Sequence, residues 1–179
     1  MAGKKEEDYI IVFDLDGTLV NTDHANSIAY QQAVYEITGM PINAGGCRLT
    51  RKNVQDRLNA SDSVMHKIIV RKEELFPAYL KYTAPMPALF ILKHLKNTCC
   101  ILLTLARRER ARIVLDYYGV SQLFDRLFFW EDYAGTPKFE YLICKKYYAP
   151  EKIILFENEQ DQIDEAVYNE IPIQNIYKS

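Results

Sequence analysis

The sequence predicts an α/β fold, a Rossmann-like parallel sheet covered by helices on both faces, with a small all-helical unit inserted after the first strand. Three observations carry this expectation. The strand candidates are unbroken apolar runs, such as Ile10-Ile11-Val12-Phe13 and Ile153-Ile154-Leu155-Phe156, and not alternating patterns, as burial on both sheet faces requires. From Pro87 onward these runs alternate with helical segments, the order that builds parallel crossovers. Between the first run and a proline-containing join at Pro85 and Pro87, the chain reads as helical throughout. The expected boundaries are 1–19 with 85–179 for the sheet domain and 20–84 for the inserted domain.

In chain order, Tyr9–Phe13 is the first buried strand and stops at Asp14. In 23–37, Ala25, Ala29, Ala33 and Ile37 recur at helical spacing, with Thr22 or Asp23 as cap and Gly39 and Pro41 as stop. A polar loop with Gly45 and Gly46 leads to a short helix near Thr50, and Ser61 and Asp62 open a third that Pro77 breaks or kinks. Pro87–Leu95 reads as a helix, Cys99–Leu103 as a strand, Arg108–Tyr118 as a helix ended by Gly119, and Leu127–Trp130 as a strand. Lys138–Tyr148 is then a helix, Lys152–Phe156 a strand, Asp161–Tyr168 a helix and Ile171–Ile176 a last strand.

Composition narrows the function classes. The 179 residues, 49% hydrophobic and 26% charged, describe an ordinary soluble globular protein with one main core. A net charge of −2 removes the electrostatic case for nucleic-acid binding. The charged start MAGKKEED lacks an apolar signal core and no run is long enough to span a bilayer, so a cytoplasmic protein without membrane partners is expected. Cys47, Cys99, Cys100 and Cys144 have no paired ligand spacing and read as reduced core thiols. A small-molecule partner and a monomer or weak dimer are the expectation.

The chemistry concentrates in YIIVFDLDGTLVNT at 9–22. An extended backbone sends the carboxylates of Asp14 and Asp16 to the same side, and Gly17 lets the chain bend away. Two like charges at a strand end call for a hard cation or for proton transfer, although Asp-Leu-Asp-Gly is also good chemistry for a solvated turn.

Phe13-Asp14-Leu15-Asp16-Gly17-Thr18-Leu19 resembles the first motif of the haloacid dehalogenase-like (HAD) superfamily of phosphohydrolases, Asp-x-Asp-Gly-Thr directly after a buried strand. The resemblance points to the branch of phosphatases and β-phosphoglucomutases in which a small helical cap follows this motif. It implies that Asp14 is the nucleophile and forms an aspartyl-phosphate, that Asp16 is the acid/base, and that Mg²⁺ is the cofactor. It implies Thr104, after the second strand, as the hydroxyl that holds phosphoryl oxygens, and Lys138 as the neutralising ammonium. Lys138 is the sole Lys between Lys96 and Lys145. Arg107 is near enough to Thr104 in sequence to reach a substrate, whereas Arg108, Arg110 and Arg112 read as the solvated side of a helix.

The metal ligands implied are Asp14, the backbone carbonyl of Asp16 and Asn158, with Glu157 in support. Here the chain departs from the family: in FENEQDQIDEA, Asn158 and Gln162 stand where acidic residues are usual. An amide oxygen ligates Mg²⁺ without bringing charge, so metal affinity should fall. The expectation is a Mg²⁺-dependent hydrolase of a small phosphorylated metabolite, with a phosphomutase or a weakly active or inert binding protein as alternatives.

Overall fold

Ile10–Phe13 forms β1, and all its residues are buried, the environment its apolar run requires. The computed structural model describes residues 9–45 and 48–178. Gly46 and Cys47, read above as loop and core thiol, and the charged start at 1–8 lie outside the described residues. After β1 come β2 (Val20–Asn21), α1 (Asp23–Thr38), α2 (Arg51–Leu58), α3 (Asp62–Leu75), a 3₁₀ turn at Phe76–Tyr82 and β3 (Ala84–Pro85). They are followed by α4 (Pro87–His94), β4 (Cys99–Leu103), α5 (Arg108–Tyr117), β5 (Arg126–Phe128), α6 (Trp130–Tyr133) and α7 (Lys138–Glu140). The chain ends with β6 (Ile153–Glu157), α8 (Gln160–Tyr168) and β7 (Ile176–Lys178).

Two units emerge, one of the described residues up to Val20 and from Pro85 on, the other of those in Asn21–Ala84. The first is an α/β Rossmann-like fold, a five-stranded sheet in the order β5-β4-β1-β6-β7 flanked by helices, with every pairing parallel. One sheet face carries Ile10, Val12, Ile101, Leu103, Ile153 and Leu155, which pack with Tyr133, Phe139, Leu142 and Ala166. The alternate residues face the other way. There Phe13, Phe156 and Tyr177 sit at one register level and stack, with centroids 4.8 and 5.1 Å apart.

The second unit is helical. Tyr30, Ala33, Val34, Val54, Met65 and Ile68 form its core, while Ile37, expected on the apolar stripe, is 38% exposed. Thr50 and Asn53 close a reciprocal capping box on α2, and α3 tightens into 3₁₀ geometry at Phe76, just before Pro77.

Three boundaries differ from the sequence reading. β5 stops at Phe128 because the Asp132 carboxylate accepts from Phe129 N–H at 2.8 Å, so Trp130 starts a helical turn. The helix beginning at Lys138 continues as a π turn, Tyr141–Lys145. Ile171 packs into the core and Ile173–Asn175 form a 3₁₀ turn after Pro172, which moves β7 to Ile176–Lys178. Among the described residues, no helix is long and apolar enough to cross a membrane.

Candidate active site

The strand order runs outward from β1 in both directions, so the crevice at its carboxyl end is where an open parallel sheet binds ligands. Asp14 is the first residue of that crevice. Its N–H donates to the Phe156 carbonyl at 3.0 Å, and the register that pairs Phe13 with Phe156 carries Asp14 level with Glu157.

Lys138 reaches both carboxylates. Its Nζ lies 2.6 Å from Glu157 Oε2 and 3.4 Å from Asp14 Oδ1, with side-chain exposures of 1%, 0% and 9% for Lys138, Glu157 and Asp14. The other Glu157 oxygen accepts from the N–H groups of Asn158 at 2.9 Å and Glu159 at 3.1 Å. Glu157 is thus engaged in holding Lys138 and the loop after β6, and it would have to share an oxygen to support a cation. Burial pushes the Asp14 carboxyl up to about 8; Lys138 pulls against this, and Glu157 and Asp16 add to it. Burial alone would lower the Lys138 ammonium, but Asp14 and Glu157 override it and hold the group above its usual value.

The turn after Asp14 is tight, with Gly17 N–H on the Val20 carbonyl at 2.8 Å and Val20 N–H on that of Leu15 at 3.1 Å. Gly17 has φ +83, a backbone conformation that favours glycine, and a Cβ there would lie 2.5 Å from Asn158 Nδ2 and displace that side chain. Thr18 Oγ1 donates to Asn158 Oδ1 at 3.1 Å, fastening the turn to the end of β6. The Asp16 carboxylate forms an ion pair with Arg110 of α5. Here the structure differs from the sequence expectation: Arg110 reads as solvated in sequence, yet its side chain is only 14% exposed. The available signal was its position one turn before buried Val114, which puts it on the inner face of α5.

Thr104 follows β4 and is buried. Its Oγ1 accepts from Ala106 N–H at 3.1 Å; the O–H hydrogen is a separate donor. Tyr133 O–H donates to the Thr104 carbonyl at 2.6 Å, and burial raises the phenol, which keeps that proton in place. Arg107, expected to reach a substrate, is exposed, and its guanidinium lies over the Trp130 ring at 5.8 Å from the centroid.

Among the described residues no group of three or more His, Cys, Asp or Glu side chains is arranged to hold a metal ion. Gln162 Oε1, on α8, is buried without a hydrogen-bond partner. The oxygens that the turn and the end of β6 offer are the Asp14 carboxylate, the Asp16 carbonyl and the Asn158 amide, whose Oδ1 accepts from Thr18 Oγ1. These are hard donors that suit Mg²⁺ in kind, but only Asp14 brings charge.

No protein-family model matches this chain, and no curated protein matches it in sequence. Its fold is that of solved HAD-superfamily hydrolases. A protein from Lactobacillus plantarum assigned as a phosphoglycolate phosphatase superposes with TM-score 0.74 and 14% identity, over 90% of this chain and 83% of that one. A haloacid dehalogenase-like family hydrolase from Streptococcus pneumoniae gives 0.72 and 17%, over 91% and 81%. A protein from Thermotoga maritima assigned as a β-phosphoglucomutase gives 0.67 and 19%, over 95% and 84%.

Proposed function

We propose that this protein is a phosphomonoester hydrolase that acts on a small phosphorylated metabolite through an aspartyl-phosphate on Asp14. The observation that carries the reading is the buried Asp14–Lys138–Glu157 cluster at the carboxyl end of β1, drawn from segments far apart in sequence. Lys138 supplies the ammonium that offsets the charge of the phosphoryl oxygens and of Asp14, and Glu157 fixes its position. Asp14 attacks phosphorus in line, Asp16 gives a proton to the leaving oxygen and later takes one from water, and Thr104 donates its O–H to a phosphoryl oxygen. Mg²⁺ would be held by Asp14, the Asp16 carbonyl and Asn158; when bound it withdraws charge from the phosphoryl group.

Phosphate release from a panel of phosphomonoesters, with and without Mg²⁺, tests the reading. Turnover that disappears in Asp14→Asn is the expected result, and undetectable turnover across the panel at high Mg²⁺ would overturn it. The uncharged Asn158 and Gln162 favour one second reading, a binding protein that retains the anion pocket; tight phosphate-ester binding without turnover would select it. Interconversion of sugar phosphates without phosphate release would instead identify a mutase. The proposal includes a cytoplasmic location, a monomer or weak dimer, and no nucleic-acid or membrane partner.

A further inference from the structure

The arginines of α5 and its cap are used in two ways. Arg107 and Arg108 lie over the rings of Trp130 and Phe129, whereas Arg110 crosses to Asp16 and donates an Nη–H to its Oδ1. The two partners are 94 residues apart and largely withdrawn from water, with side-chain exposures of 14% and 15%. Taking both charges largely out of water is costly, so such a pair is weak as a device for stability alone. Its geometric effect is definite. Asp16 stands at the mouth of a tight turn, next to Gly17 at positive φ, where a lone carboxylate would sample several rotamers.

We propose that Arg110 is a positioning residue for Asp16, holding the carboxyl group in the rotamer from which it exchanges a proton with the leaving oxygen and with water. This rests on the reading of Asp16 as the acid/base of phosphoryl transfer. In the first step the Asp14 carboxylate bonds to phosphorus, the bond from phosphorus to the ester oxygen breaks, and the Asp16 proton moves to that oxygen. In the second, water bonds to phosphorus and gives a proton to the Asp16 carboxylate, and the Asp14 oxygen leaves. Arg110 acts through the Asp16 carboxyl group and transfers no proton itself.

The test uses two esters with wild type, Arg110→Gln and Arg110→Lys. The first is an alkyl phosphate, whose leaving oxygen needs a proton; the second is p-nitrophenyl phosphate, whose phenolate leaves without one. The expected result for Arg110→Gln is a fall of about 30-fold in kcat/KM for the alkyl ester against less than about 3-fold for the aryl ester, with partial recovery in Arg110→Lys. Equal losses on both esters, or no recovery with Lys, would overturn the assignment. Thermal unfolding of Asp16→Asn, Arg110→Gln and the double variant tests the pair without activity. A Tm loss in the double variant smaller than the sum of the singles supports it, and additive losses overturn it. A wild type inert on both esters counts against the hydrolase reading, and the unfolding cycle still decides whether the pair is formed.

Discussion

Asp14 is a residue placed at odds with stability. Its carboxyl stands at about 8 in the folded chain against an ordinary value of 3.8, so folding favours the protonated form. The contribution this carboxyl makes to stability is therefore complete below about pH 4 and lost as pH rises through about 8. Asn cannot ionise. Asp14→Asn should abolish turnover yet exceed the wild type in stability above pH 8, by roughly 2 kcal/mol, with the gap closing toward pH 4. Melting curves near pH 5 and pH 8.5 measure this, and a gap that widened toward acid would contradict the assignment. That Asp14 and Lys138 come together was legible through the resemblance, whose motif order implies which strand ends meet. Arg110 was not, because with Arg108 and Arg112 it reads as the solvated side of a helix, and only its spacing from Val114 distinguishes it.

At the scale of elements, the turn between β1 and β2 is the most constrained segment. Gly17→Ala must place a Cβ at φ +83 and within 2.5 Å of Asn158 Nδ2, so the backbone is strained and the Asn158 side chain has to swing aside and give up the bond from Thr18 Oγ1. A loss of about 2–4 kcal/mol in chemical denaturation is expected, with activity falling at the same time because Asp16 and Thr18 move with the turn. Which segments are helix and which are strand is more legible in the sequence than where they end. Apolar runs locate β1, β4 and β6 because burial is what makes them apolar. The ends of β5 and β7 depend on local hydrogen bonds and on Pro172, to which hydrophobicity is blind.

At the scale of the molecule, the net charge of −2 conceals a local balance of charges around Asp14 on which the affinity of the proposed Mg²⁺ site would depend. Asp14, Asp16 and Glu157 face Lys138 and Arg110, and Asn158 adds nothing to the acidic side. Mg²⁺ at millimolar concentration should raise Tm by less than about 1 °C in the wild type and by several degrees in Asn158→Asp, since a ligand stabilises only as far as its concentration exceeds its dissociation constant. Asn158→Asp should likewise need less Mg²⁺ for half-maximal rate, and an unchanged requirement would remove Asn158 from the ligand set. The position of Trp130 has a practical consequence. It is the single tryptophan of the chain, its backbone N–H is bonded to the Ala106 carbonyl two residues after Thr104, and the Arg107 guanidinium covers its ring. Indole emission is sensitive to a nearby cation, so the protein carries an intrinsic fluorescent reporter beside the loop that follows β4, readable without any label.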